Sequence, residues 1–163
     1  YIGMVVTLNN SVTLQDSLEQ LGLETRTLSG IDIPKIAEPY IRRRAIRHLE
    51  KGRIVIIAGG TGNPFFSTDS AAALRSVELD CSLLVKATKV DGVYDSDPVK
   101  NSDAKKYTNI SFSEVLEKEL AIMDLTAITL CKENKMPILV LDITKEGNLY
   151  NALSNNDIGT TIS

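Results

Sequence analysis

Apolar residues recur at helical spacing from the start of the chain: Ile2, Val5, Leu8 and Val12, then, after a slip of phase, Leu14, Leu18 and Leu21. The spacing predicts a helix over residues 2–21, closed by Gly22 at the position that favours a left-handed cap. Weak alternation predicts a short strand over 24–28, and the Gly- and Pro-bearing stretch 29–38 a loop. Pro39 suits the first turn of a second helix that ends near Gly52 and carries the apolar stripe Ile41, Ala45, Ile46 and Leu49.

The pattern then changes. Three short apolar runs, 53–58, 82–87 and 137–142, show no alternation and read as strands buried on both faces. An Ala-rich helical stretch, 69–79, lies between the first two. A long polar, turn-rich segment, 88–106, follows the second. The spacing Ser111…Glu114 predicts a helix opened by a capping box, and Asp124 suits the cap of another helix running to Lys132. A short helix near 149–153 and a strand at 159–162 end the pattern. Strand–helix alternation of this kind predicts an α/β fold with a mostly parallel sheet. No internal repeat, low-complexity segment or linker interrupts it, so residues 1–163 read as one domain or one piece of one.

Composition narrows the class without changing this picture. Apolar residues make up 43% and charged residues 24%, which excludes a disordered tail, a fibre and a disulfide-built miniprotein. Eighteen basic against 21 acidic side chains leave a net charge of −3, which argues against nucleic acid as a partner. Cys81 and Cys131 stand far apart without ligand-like spacing, as in a reduced cytosolic protein with two buried thiols. No apolar run approaches the ~18 residues of a membrane helix, and no signal-like segment opens the sequence. Tyr1 lies at the edge of a helical pattern with no cap before it, so the chain is expected to be the C-terminal part of a longer protein.

Two segments follow predicted strands with compositions suited to ligand binding, and open parallel sheets bind ligands beyond the carboxyl ends of their strands. In the first, residues 58–69, three glycines in four positions let the backbone approach a ligand closely, and Thr61, Ser67 and Thr68 add hydroxyls. It feeds a helix N-terminus, which favours phosphate. It is neither a Walker A loop nor a dinucleotide fingerprint, and the plainer reading is a tight connection in which Thr68 or Asp69 caps the helix. The second segment, residues 86–98, offers Lys86 and Lys89 for phosphate oxygens and Tyr94 for a base; the plainer reading is a solvated loop built from the turn signals Asp91-Gly92 and Asp97-Pro98. Asp69 suits either a helix start or the organisation of Mg2+ beside a phosphate. Arg42, Arg43, Arg44 and Arg47 read as a solvated helix face rather than an anion or effector site, and His48 as a surface or interface residue.

Taken together, the segments resemble a known family. Residues 59–72, GGTGNPFFSTDSAA, look like the signature loop of bacterial uridylate (UMP) kinases. Residues 86–98, KATKVDGVYDSDP, resemble the nucleotide-binding segment of the wider amino acid kinase superfamily, and EVLEKEL at 114–120 with Met123-Asp124 is again similar to UMP kinases. The resemblance covers essentially the whole chain. It implies a three-layer α/β/α sandwich with a mostly parallel central sheet, incomplete at its N-terminus, so that residues 1–163 form the C-terminal two thirds of a single amino acid kinase-like domain. The N-terminal third would carry a Lys-x-Ser-Gly strand end and a Gly-Gly-Gly loop.

The implied activity is transfer of the γ-phosphoryl group of ATP to UMP, with Mg2+, in cytoplasmic pyrimidine nucleotide synthesis. The resemblance further implies a homohexamer regulated by a nucleotide such as GTP or UTP. By position, Thr61, Gly62, Asn63, Pro64, Phe65, Phe66, Ser67 and Thr68 match the UMP loop. Thr88, Tyr94 and Asp97 match the ATP site, and Asp69 a catalytic carboxylate associated with Mg2+. Other readings are a superfamily member acting on a carboxylate substrate, or a non-catalytic nucleotide-sensing module.

Overall fold

The computed structural model describes residues 1–154 and 158–163. The chain forms two compact units, Tyr1–Leu79 and Asp80–Ser163.

The first unit opens with helix α1, Ile2–Gln20, and continues through strand β1, Thr25–Ser29, and the two-residue strand β2, Glu38–Pro39. Helix α2, Arg42–Glu50, strand β3, Ile54–Ala58, and helix α3, Thr68–Glu78, complete it. The strands run in parallel in the order β2-β1-β3. Helix α1 ends as its sequence predicts. Gly22 takes φ +82° and donates to the Glu19 carbonyl, and Leu23 N–H reaches back to Leu18. Gly52 closes α2 with the same pair of bonds, to Leu49 and His48.

The second unit holds strand β4, Leu84–Thr88, the two-residue strands β5, Val93–Tyr94, β6, Lys106–Tyr107, and β7, Asn109–Ile110, and helices α4, Phe112–Glu117, and α5, Leu125–Glu133. Strand β8, Ile138–Asp142, helix α6, Asn148–Leu153, and strand β9, Thr160–Ile162, follow. Its main sheet has the order β4-β8-β9-β7, with β4–β8 and β7–β9 parallel and β8–β9 antiparallel. All five residues of β8 are buried, as its unbroken apolar run predicts. Ser111 and Glu114 form the full capping box, and the Asp124 carboxylate accepts from Ala127 N–H.

Several expectations are corrected. Pro39 lies in β2, opposite Ser29, and α2 begins three residues later. A proline lacks the N–H that an inner strand must donate, but an edge strand tolerates it, and Tyr40 N–H anchors the segment to the Ser29 carbonyl at 2.8 Å. Ile41, at φ −129° and ψ 120°, is the cap rather than part of the helix. Strand β3 is not buried on both faces: Ile54 is exposed and the next three residues half-buried, because β3 pairs on one side only among the described residues. Strand β4 is likewise half-buried along most of its length. Cys131 is buried in α5, and burial pushes its thiol up to about 11, but Cys81 is exposed in the turn before β4. Of the arginine run, Arg43 and Arg47 lie on an exposed face as expected, whereas Arg44 pairs with Glu38 and Arg42 Nε donates to the Glu78 carbonyl. His48 is half-buried between Glu38 and Arg53.

Candidate active site

In the first unit, β1 and β3 run side by side and end level, Ser29 opposite Ala58. Each strand is followed by glycine, and the two turns pack against each other. Gly30 N–H donates to the Ala58 carbonyl at 2.9 Å. A Cβ on Gly62 would stand 2.2 Å from the Gly30 carbonyl oxygen, so no other residue fits there without moving the backbone. Gly59, Gly60 and Gly62 all have positive φ, which only glycine adopts without cost. Thr7, reaching over from α1, accepts the Gly59 N–H on its hydroxyl at 2.9 Å.

The knot, the loop that leaves it and the first residue of α3 together carry all eight residues predicted to bind the acceptor. Thr61 Oγ1 accepts from Asn63 N–H at 3.1 Å and closes a small turn. Phe65 stands fully exposed at φ +71°, an unfavourable backbone conformation for a bulky side chain, and Phe66 is also exposed. Ser67, not Thr68 or Asp69, caps α3: its Oγ accepts from Ser70 N–H at 2.9 Å. Thr68 is therefore the first residue of the helix. Asp69 lies half-buried in the first turn.

Behind the loop sits a cluster not predicted from the sequence. The Arg75 guanidinium lies 3.8 Å above the Tyr40 ring, pairs with Glu78 at 2.7 Å and approaches the Thr61 carbonyl at 3.5 Å. Tyr40 OH donates to the same Glu78 oxygen at 2.7 Å. Burial, and then the Glu78 carboxylate, push Tyr40 up to about 12. Burial alone would raise Glu78, but the bonds from Arg75 and Tyr40 outweigh it and hold the carboxyl below its ordinary value.

In the second unit, Thr88 ends β4 and its hydroxyl accepts Val90 N–H at 2.7 Å. Tyr94 OH donates to Asp91 at 2.7 Å, and Lys106 pairs with the other Asp91 oxygen at 3.4 Å. The Tyr94 bond, aided by the Lys106 charge, holds Asp91 below the usual carboxylate range. Asp97 is exposed and closes its own turn by accepting Val99 N–H. The segment 88–106 is thus not a plain loop: β5 inside it pairs antiparallel with β6, which begins at its last residue. Gly92 lies against Thr160, whose hydroxyl accepts Val93 N–H at 2.8 Å. Asp142, opposite Thr88 in the β4–β8 register, is a buried carboxylate absent from the predicted set. Thr144 donates to it through both hydroxyl and amide, at 2.6 and 2.9 Å, and these bonds hold it below its ordinary value.

Among the described residues no three His, Cys, Asp or Glu side chains are grouped to hold a metal, and no helix is long and apolar enough to cross a membrane. Mg2+ usually takes one or two protein carboxylates and completes its shell with phosphate oxygens and water; Asp69, half-buried in the first turn of α3, is a carboxylate of the kind it takes.

Residues 1–142 match the amino acid kinase family. Among solved structures, UMP kinase from Ureaplasma parvum is 36% identical with a TM-score of 0.95, over 99% of this chain and 69% of that one. UMP kinase from Bacillus anthracis is 34% identical with a TM-score of 0.97, over 99% of this chain and 67% of that one. Uridylate kinase from Archaeoglobus fulgidus is 29% identical with a TM-score of 0.62, over 77% of this chain and 59% of that one. The mixed α/β fold with its predominantly parallel pairing is the one that the first two structures share.

Proposed function

Since the chain belongs to the amino acid kinase family, we propose that the protein is a UMP kinase, transferring the γ-phosphoryl group of ATP to UMP to give UDP and ADP. The observation that carries this reading is the glycine knot at residues 59–62, which leads through the short loop 63–67 into the N-terminus of α3. Its support is the likeness to two UMP kinases along nearly the whole chain.

Phosphoryl transfer asks little covalent chemistry of a protein; it asks for positioning and neutralised charge. On the acceptor side, Thr61, Gly62, Asn63, Pro64, Phe65, Phe66, Ser67 and Thr68 hold UMP, and the positive end of α3 favours its phosphate. On the donor side, Thr88, Tyr94 and Asp97 hold ATP. Asp69 is the catalytic carboxylate and the protein's ligand for Mg2+, which enters with the nucleotide and offsets phosphate charge. The two units are parts of one amino acid kinase-like domain. The protein works in the cytoplasm, in pyrimidine nucleotide synthesis, as a homohexamer under control of a nucleotide effector such as GTP or UTP.

A coupled assay of ADP release by the full-length protein, with UMP, CMP, aspartate and glutamate as acceptors, tests the reading. UMP is expected to be strongly preferred. Preference for an acidic amino acid, or no turnover with UMP, would overturn it.

A further inference from the structure

We infer that Arg75 is a positioning residue for the acceptor loop: oriented by Glu78 and Tyr40, its guanidinium holds the Thr61 carbonyl and so fixes the end of the loop that leaves the glycine knot. The role of that loop rests on the proposed function; the contact between Arg75 and the loop does not.

The observations are geometric. Arg75 lies two turns into α3, yet it reaches back to the segment that precedes the helix. Three different surfaces of one guanidinium are engaged: its face on the Tyr40 ring at 3.8 Å, Nη1 on Glu78 at 2.7 Å and Nη2 towards Thr61 O at 3.5 Å. Its Nε is buried and, among the described residues, has no hydrogen-bond partner. The group is therefore not placed so as to satisfy all its own donors; it is placed where Glu78 and Tyr40 aim it. Glu78 receives Tyr40 OH and Arg75 on a single oxygen, and its own carbonyl accepts from Arg42 Nε. Tyr40 in turn is fixed by its N–H on Ser29, next to the glycine that packs on Gly62. The cluster thus ties α3 and the end of β1 to the start of the loop.

An exposed ion pair would contribute little and would need no aromatic face. Here the Arg75 side chain is only 13% exposed. A planar fork that stacks and donates in two directions is a property of arginine that lysine lacks. The 3.5 Å separation from Thr61 is long for a hydrogen bond, and bonds of this kind often tighten when substrate binds.

The test compares Arg75→Lys and Tyr40→Phe with wild type in the full-length protein. Chymotrypsin cleavage after the exposed Phe65 and Phe66 reads the loop without reference to activity. Arg75→Lys keeps the charge but is expected to raise that cleavage rate, and the KM for UMP, by roughly tenfold, the equivalent of one lost charge-assisted hydrogen bond. The KM for ATP should stay within about twofold. Tyr40→Phe keeps the stacking face and removes only the bond to Glu78, so both effects should be smaller, about threefold. Unchanged cleavage in both variants, or equal losses for UMP and ATP, would reduce Arg75 to a structural tie and overturn the inference. A wild-type protein that fails to phosphorylate UMP sinks the proposed function instead, and the cleavage rates still decide the role of Arg75.

Discussion

Gly62 and Gly30 meet backbone to backbone, so closely that a Cβ on Gly62 would stand 2.2 Å from the Gly30 carbonyl oxygen. Gly62→Ala therefore carries two costs, the left-handed backbone and the clash. It should destabilise the protein by at least ~2 kcal/mol. Gly22→Ala is the control, because Gly22 has the same sign of φ but nothing within 4 Å of the added carbon; about 1 kcal/mol is expected there. Urea unfolding of the two variants checks the difference, and equal losses would mean that the two turns are not in contact.

Ser67 and Asp69 separate capping from chemistry. Ser67→Ala removes the α3 cap and should cost ~0.5–2 kcal/mol of stability. Asp69→Asn leaves the Ser67 cap in place and keeps the side chain's size and polarity, so it should move the unfolding midpoint less than Ser67→Ala does. If Asp69 organises the transferring phosphate, the same substitution should lower kcat about a hundredfold or more. Near-normal turnover would return Asp69 to an ordinary helix-start carboxylate.

Among the described residues, the Thr7 hydroxyl is the partner of the buried Gly59 N–H. Thr7→Val keeps the shape and removes the acceptor, leaving a donor without its bond at a cost of ~1–3 kcal/mol. Thr7→Ser restores the hydroxyl and should recover most of that loss. Amide exchange at Gly59 and urea unfolding report it directly.

The Tyr40–Glu78 pair gives opposite signs at the two ends of the pH scale. Tyr40 is raised to about 12 from its ordinary value of 10.0, so the stability it contributes is complete below pH 10 and is lost as pH rises towards 12. Glu78 is lowered, so its contribution is present above the ordinary carboxylate value of 4.5 and is lost as pH falls through its depressed value. Ultraviolet titration should show a tyrosine ionising near 12 that Tyr40→Phe removes. Glu78→Gln should move that ionisation down towards 10, whereas no movement would mean that burial alone raises it.

What was legible in the sequence was local. The capping box at Ser111, the Asp124 cap, the unbroken run of β8 and the terminator Gly22 each depend on residues within a few positions of one another, and each stands as predicted. The glycines and hydroxyls at residues 59–68 were conspicuous for the same reason. The supports of the loop were not. Tyr40 and Glu78 are 38 positions apart, Thr7 and Gly59 are 52 apart, and no period or spacing connects them. Two-residue strands such as β2 and β7 are too short to have a period at all. Asp142 was hidden in its strand, because only the register with Thr88 gives it a position at the strand ends.

Strand β9 lies between β8 and β7, and its Thr160 takes the Val93 N–H. On the ribosome this places the two units under different schedules. The strands of the first unit have all been synthesised by residue 58. The main sheet of the second unit waits for residues 160–162, and until they emerge β8 presents an unpaired edge made of Ile138, Leu139 and Val140. At ~5–20 residues per second, about 20 residues separate the end of β8 from β9, so that apolar edge stays open for on the order of seconds, within reach of chaperones and of neighbouring nascent chains.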